Sequence, residues 1–165
     1  PIRVVLPNNM TINGTLDRLD IKAGMTRVVD YKTGKADLNY SSMADVFGVM
    51  PPAEGETYAL RKQGNTYILQ TMLYCWILSD QYAQLSPTIY PARQLSDTSA
   101  ITGIHAVGDN QPLLFDDTKK QEFIDELTAL IHEIRNPEIP FYPCADEHVC
   151  KSCNFMALCG RKSKK

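Results

Sequence analysis

The chain has 165 residues, 44% hydrophobic and 22% charged, with a formal net charge of −2 at pH 7. These values suit one soluble domain with a full core, and the charge alone points to no nucleic-acid partner. No apolar run approaches the roughly 20 residues that span a bilayer, and nothing at the start looks like a signal peptide, so no membrane-spanning helix is expected.

The chain starts on Pro1, already in strand-like sequence, and reads as a domain excised from a longer protein. "IRVVLP" and "MTINGTLDRLDI" read as strands with "PNN" turning between them. "KAGM" makes a tight turn into "TRVVDYKTG", which predicts a hairpin. Residues 36–62 contain "MPPAEGE" and are expected to be a long, partly irregular excursion. Residues 66–81 are apolar over most of a helical circumference, which predicts a helix buried on several sides. Cys75 lies within it as a small buried hydrophobe.

"PTIYPARQL" and "AITGIHAVG" predict two further strands, the first at an edge or bulge because of Pro91. The spacing of Phe123, Leu127, Leu130, Ile131 and Ile134 predicts an amphipathic helix from about Thr118 to Arg135, stopped by Asn136-Pro137. Asp117 or Thr118 would be its N-cap, with Gln121 completing a capping box. His132 on this helix and His105 on a strand read as structural or surface residues. Strands and helices around one sheet make the fold class α/β (α+β), a mixed central sheet flanked by helices.

A cysteine-rich segment closes the chain. Cys144, Cys150, Cys153 and Cys159 fall within sixteen residues. The clustering, the odd total of five and the missing signal peptide argue against a disulfide framework and for a metal or cluster site in a reducing compartment. His148 is a further candidate ligand, and free thiols in a loose tail are the alternative. The final "RKSKK" carries four positive charges and reads as a disordered, solubilising end.

The hairpin raises a chemical question. With Ala23-Gly24 as a two-residue loop, Asp20 faces Arg27, Leu19 faces Val28, and Asp17 faces Asp30. Like charges directly opposite destabilise a sheet, but two carboxylates about 5 Å apart at Cβ can share a divalent cation. Lys32, two residues beyond Asp30, shares its face and can hold a phosphate or balance charge as the phosphorane develops. Such a set suits phosphodiester hydrolysis. Solvated strand ends also carry acid-x-lysine pairs, and a loop one residue longer would set Asp17 against Tyr31.

"GTLDRLD" (Gly14–Asp20), then "DYKTG" thirteen residues after Asp17, then "QTMLY" in the following helix resembles the RecB-like branch of the PD-(D/E)XK nuclease superfamily. The resemblance covers residues 14–74 and implies a restriction-endonuclease-like fold. It makes Asp17 and Asp30 ligands of Mg²⁺ or Mn²⁺, with the Tyr31 backbone carbonyl as a further ligand. Lys32 becomes the catalytic lysine, and Gln70 and Tyr74, four apart on one helical face, complete the site. Cys150, Cys153 and Cys159 are similar to the end of an iron–sulfur nuclease module of the AddB type. There a fourth thiolate lies upstream; here Cys144 could substitute, for a [4Fe–4S] cluster or Zn²⁺.

The resemblance also implies a missing N-terminal helical part, bearing a histidine, so the fragment could be weakly active or inactive. The expected protein is thus a nuclease core over 1–143 with a cysteine-rich tail over 144–165. It would act as a DNA exonuclease in repair or recombination, on ends or single strands, beside helicase domains or a helicase subunit in a bacterial-type cytoplasm. A catalytically inactive DNA-binding or assembly module of the same fold is the rival. A zinc-binding interaction domain would explain the tail alone.

Overall fold

The computed structural model describes residues 1–6, 9–50, 61–94, 103–140, 143–144 and 147–161. The expectations for "PNN", most of "MPPAEGE", the end of "PTIYPARQL", the start of "AITGIHAVG" and most of "RKSKK" fall outside these residues.

Strands β1 (Ile2–Val5) and β2 (Thr11–Gly14) pair antiparallel, with Ile2 opposite Gly14. The chain then breaks its extended run at residues 15–17, and β3 (Arg18–Lys22) begins a second hairpin with β4 (Met25–Lys32). The single strand expected over 10–21 is therefore two, each with a different partner. Gly14 sits at the break because the ring of Tyr74 comes down on its backbone, the kind of close approach that marks a strand glycine.

The second hairpin has the expected register: Asp20 opposite Arg27, Leu19 opposite Val28, and Lys22 opposite Met25 across the Ala23-Gly24 turn. Both turn residues have positive φ, +51° and +81°, as a two-residue type I′ turn requires. Strand β6 (Leu85–Pro91) runs parallel to β4, from Thr26 opposite Leu85 to Lys32 opposite Pro91. The sheet order is β3-β4-β6, a mixed sheet with β4 at its centre. Pro87 and Pro91 are tolerated because β6 has no second neighbour among the described residues.

A parallel pair needs a crossover, and helices α1 (Met43–Val46) and α2 (Thr66–Leu78) lie on it. Asn65 caps α2 by accepting from the Ile68 amide. The helix is buried on several sides, as expected: Ile68, Met72 and Cys75 are fully enclosed, and Leu69, Leu73 and Trp76 pack against the same core. Burial pushes the Cys75 thiol well above its ordinary pKa.

Helix α3 (Asp117–Arg135) closes the core. Its N-cap is Asp116, one or two residues before the expected position, and its carboxylate accepts from the Lys119 amide. Gln121 makes no capping box; its side chain donates to Asp125 one turn on. Phe123 is the hub of an aromatic cluster, with Phe47 at 5.3 Å, Phe115 at 6.0 Å and Trp76 at 6.4 Å between ring centroids. Leu127, Leu130 and Ile131 extend that face, whereas Ile134 is 65% exposed because the last turn runs past the core. Short strands β5 (Asn39–Tyr40) and β7 (His105–Ala106) pair in parallel beside it, and α4 (Glu147–Cys150) lies in the cysteine-rich segment.

Candidate active site

Strand β4 alternates its faces. Thr26, Val28 and Asp30 are buried toward α2, while Arg27 and Tyr31 point to the other side. Asp30 is only 4% exposed. Lys32 Nζ stands 2.7 Å from Asp30 Oδ2, close enough for an ion pair. The direction of approach is nevertheless not that of a hydrogen bond, and buried Oδ2 receives none. The buried oxygen is therefore held by the charge of Lys32 without an aimed hydrogen bond.

Lys32 is held by α2. Its ammonium donates to Gln70 Oε1 at 2.8 Å and lies 4.7 Å from the ring centroid of Tyr67. Gln70 Nε2 then donates to the Tyr74 hydroxyl at 2.9 Å. An ammonium has no acceptor lone pair, so the contact fixes which end of the Gln70 amide is oxygen. Tyr67, Gln70 and Tyr74 are spaced three and four apart and share one helical face. Tyr74 in turn packs on Gly14: a Cβ there would meet its Cε1 at 2.8 Å and its hydroxyl at 3.2 Å. The glycine, the helix pair and the lysine are one mechanical unit.

Asp17 lies in the break between β2 and β3. The ladder ends at Arg18 opposite Val29, one step before Asp17 and Asp30. The exposed Asp17 carboxylate accepts from the Tyr31 amide through Oδ2 at 2.9 Å, and Oδ1 has no protein partner among the described residues. The hairpin end therefore carries an open carboxylate, Asp17, one step beyond the ladder, and a buried one, Asp30, paired with Lys32. Hard divalent cations take such oxygen ligands, so these residues fit Mg²⁺ or Mn²⁺.

The other face of the sheet carries a charged lattice. Arg27 grips Asp20 through two 2.7 Å hydrogen bonds and donates to the Tyr90 hydroxyl at 2.8 Å. Arg18 lies 2.7 Å from Asp20 Oδ2 and donates to the Tyr31 hydroxyl at 3.3 Å. The Arg27 hydrogen bonds hold the Asp20 carboxyl below its ordinary pKa, and the same contact raises that of Arg27.

The cysteines do not form a comparable set. Cys150 is buried and accepts from Arg161 at 2.7 Å, Cys144 lies 3.7 Å from the Arg61 carbonyl, and Cys153 and Cys159 are exposed. His148 is exposed, 3.3 Å from Lys151 Nζ. Among the described residues no three His, Cys, Asp or Glu side chains are gathered as metal ligands. The residues as placed do not fit a cluster or zinc. His105 faces the Gln111 carbonyl and His132 is on the surface of α3, both away from the carboxylates.

A cavity of about 740 Å³, the largest described, lies between Tyr40–Met43, residues 106–114 and α3. Asp17, Asp30 and Lys32 do not line it. The candidate chemistry lies at the carboxylates all the same, where a buried acid meets a lysine held by α2. Sequence reasoning missed Tyr67, although its place three before Gln70 puts it on the same face. It also missed Tyr90, whose partnership with Tyr31 depends on a parallel register that no local pattern announces.

A mixed sheet flanked by helices, with an acid and a lysine on its central strand served by a glutamine–tyrosine pair, has the architecture of the restriction-endonuclease-like nucleases. The family model of the PD-(D/E)XK nuclease superfamily matches residues 2–160, and the chain belongs to that superfamily. Comparison with curated proteins and with solved structures finds no significant match.

Proposed function

We propose that the chain is the metal-dependent DNA nuclease domain of a RecB/AddB-like helicase–nuclease, acting as an exonuclease in repair or recombination. The observation that carries this reading is the buried Asp30 Oδ2, without a hydrogen-bond donor and 2.7 Å from a lysine that α2 holds in place. The G-x-x-D, D-Y-K-T-G and Q-x-x-x-Y pattern supports the branch within the superfamily.

Asp17 and Asp30, with the Tyr31 carbonyl, would hold Mg²⁺ or Mn²⁺. When bound, the ion supplies Lewis-acid polarisation of the phosphoryl oxygen and acidifies water. Lys32 presents its ammonium to the scissile phosphate and offsets the charge that grows on it in the transition state. Gln70 and the ring of Tyr67 keep that ammonium from swinging away, and Tyr74 keeps Gln70 oriented. Positioning of this kind matters because a shift of about 1 Å can cost on the order of 10²-fold in rate.

DNA is the substrate in this reading, helicase domains or a helicase subunit the neighbours, and a bacterial-type cytoplasm the compartment. Residues 1–143 form the nuclease core and 144–165 the cysteine-rich tail. A [4Fe–4S] cluster or Zn²⁺ at Cys144, Cys150, Cys153 and Cys159 would require those thiols to come together; metal analysis of the purified protein decides it. For the nuclease itself, Asp30→Ala and Lys32→Ala in the full-length parent should each abolish Mg²⁺-dependent DNA cleavage while circular dichroism stays unchanged. Undiminished cleavage by either variant would sink the assignment. An unmodified parent that binds DNA without cutting it would favour the inactive module.

A further inference from the structure

Tyr31 sits between Asp30 and Lys32 in the chain, so its side chain leaves the opposite face of β4. Its Cα is about 3.8 Å from each of theirs. Half of it is exposed, an unusual position for a large ring beside a catalytic strand's buried acid. It stands directly opposite Tyr90 on β6, and the rings stack with centroids 5.7 Å apart and planes 20° from parallel.

The pair is braced rather than loose. Arg18 donates to the Tyr31 hydroxyl and Arg27 to the Tyr90 hydroxyl, and the Arg27 guanidinium also lies 5.8 Å from the Tyr90 centroid. Two guanidiniums share one carboxylate, Asp20, and Asp17 accepts from the Tyr31 amide, so the charges around the rings are balanced within the protein. Rings fixed in advance lose little freedom when a ligand stacks on them. The exposed ring of Tyr31 stands near the end of β4, one residue from both Asp30 and Lys32 but on the opposite face of the strand, and offers a base a flat surface to stack on.

We propose that Tyr31, backed by Tyr90, is a stacking platform for an unpaired base of single-stranded DNA next to the cleavage site. The inference deepens the nuclease reading and rests on it for the position of the phosphodiester. A π-face accepts any base, so the platform is tolerant of sequence. Bases in an intact duplex are already stacked within the helix and cannot lie on the ring. The platform therefore selects single strands over blunt duplex. Arg18, half exposed, sets its rim, where the backbone of the bound strand passes.

The test is binding, without turnover, in an Asp30→Asn background without divalent cation. Fluorescence anisotropy would compare a labelled oligothymidylate of about twelve nucleotides, within the usual single-strand site size, with a blunt duplex of the same length. Adding Tyr31→Ala should weaken oligothymidylate binding by about 5- to 150-fold, the range for loss of one stacked base. Duplex affinity should hold, and Tyr31→Trp should restore single-strand binding. Unchanged oligothymidylate affinity, or an equal loss on both DNAs, would overturn the platform.

If Tyr31→Ala melts early because the ring also clamps β6 to β4, the Tyr31→Trp protein gives the answer by another route. Oligothymidylate should quench the emission of the indole at position 31, after subtraction of Trp76, and absence of quenching would overturn the proposal. Failure of the nuclease reading shows separately, as a parent protein that never cleaves in Mg²⁺ whatever the state of Tyr31.

Discussion

Replacing Gly14 with alanine should damage the site through Tyr74, whose ring packs on the glycine. The added Cβ would lie 2.8 Å from Tyr74 Cε1, 3.2 Å from its hydroxyl and 3.3 Å from Cζ. Ordinary carbon contacts begin near 3.5 Å, so the ring must retreat by about 0.7 Å. Tyr74 is 5% exposed and has little room to yield. Overpacking of this kind costs about 1–3 kcal/mol, or a fall in Tm of about 2–12 °C for a domain of this size. The retreat drags the hydroxyl that Gln70 holds, and with it the oxygen that holds Lys32. Nuclease activity should drop by about 10- to 100-fold, the penalty for sub-ångström to 1 Å misplacement. A double-mutant cycle with Tyr74→Ala isolates the contact: in that background Gly14→Ala should cost almost nothing, because the ring it strikes is gone. The reasoning fails if Gly14→Ala melts and cleaves like the parent, or if its cost persists without Tyr74.

Two further outcomes follow from the hairpin. Asp20→Asn should lower stability at neutral pH by about 1 kcal/mol, the usual scale for such a pair. Because Arg27 depresses the folded-state pKa of Asp20, its contribution is complete above the ordinary value of 3.8 and is lost as pH falls through the lower folded value. The Tm gap between Asp20→Asn and parent should therefore close below that pH; a gap that persists in strong acid would contradict the ion-pair account. Ala23→Asn should raise stability by about 0.5–1 kcal/mol, since asparagine tolerates the positive φ at which alanine is held. A destabilised variant in urea unfolding would refute that turn assignment.

The parts readable beforehand were those fixed by local chemistry. Ala23-Gly24 set the hairpin register because a two-residue turn leaves one choice, and the pairing of Asp20 with Arg27 follows from it. The all-round apolar character of residues 66–81 announced a buried helix, which ends at Leu78, and Gln70 and Tyr74 shared its face by spacing alone. Other features depend on contacts distant in the chain. The packing of Tyr74 on Gly14, just before the break at residues 15–17, joins positions sixty residues apart. The Asp116 cap lost to Asp117 and Thr118 on pattern because all three are acceptable caps, and only backbone geometry chooses among them. Asp17 was expected opposite Asp30; the ladder ends one step before that pair, and the Asp17 carboxylate accepts from the Tyr31 amide, a contact that the register alone does not announce.

The central claim is that Asp17 and Asp30 jointly hold a divalent cation beside Lys32. Calorimetric titration of the protein with Mn²⁺ measures this directly, without DNA and without turnover. The account predicts one site per chain that disappears in both Asp17→Ala and Asp30→Asn while the melting profiles show folded protein. A binding isotherm unchanged by either substitution, or no Mn²⁺ site in the unmodified chain, would contradict it.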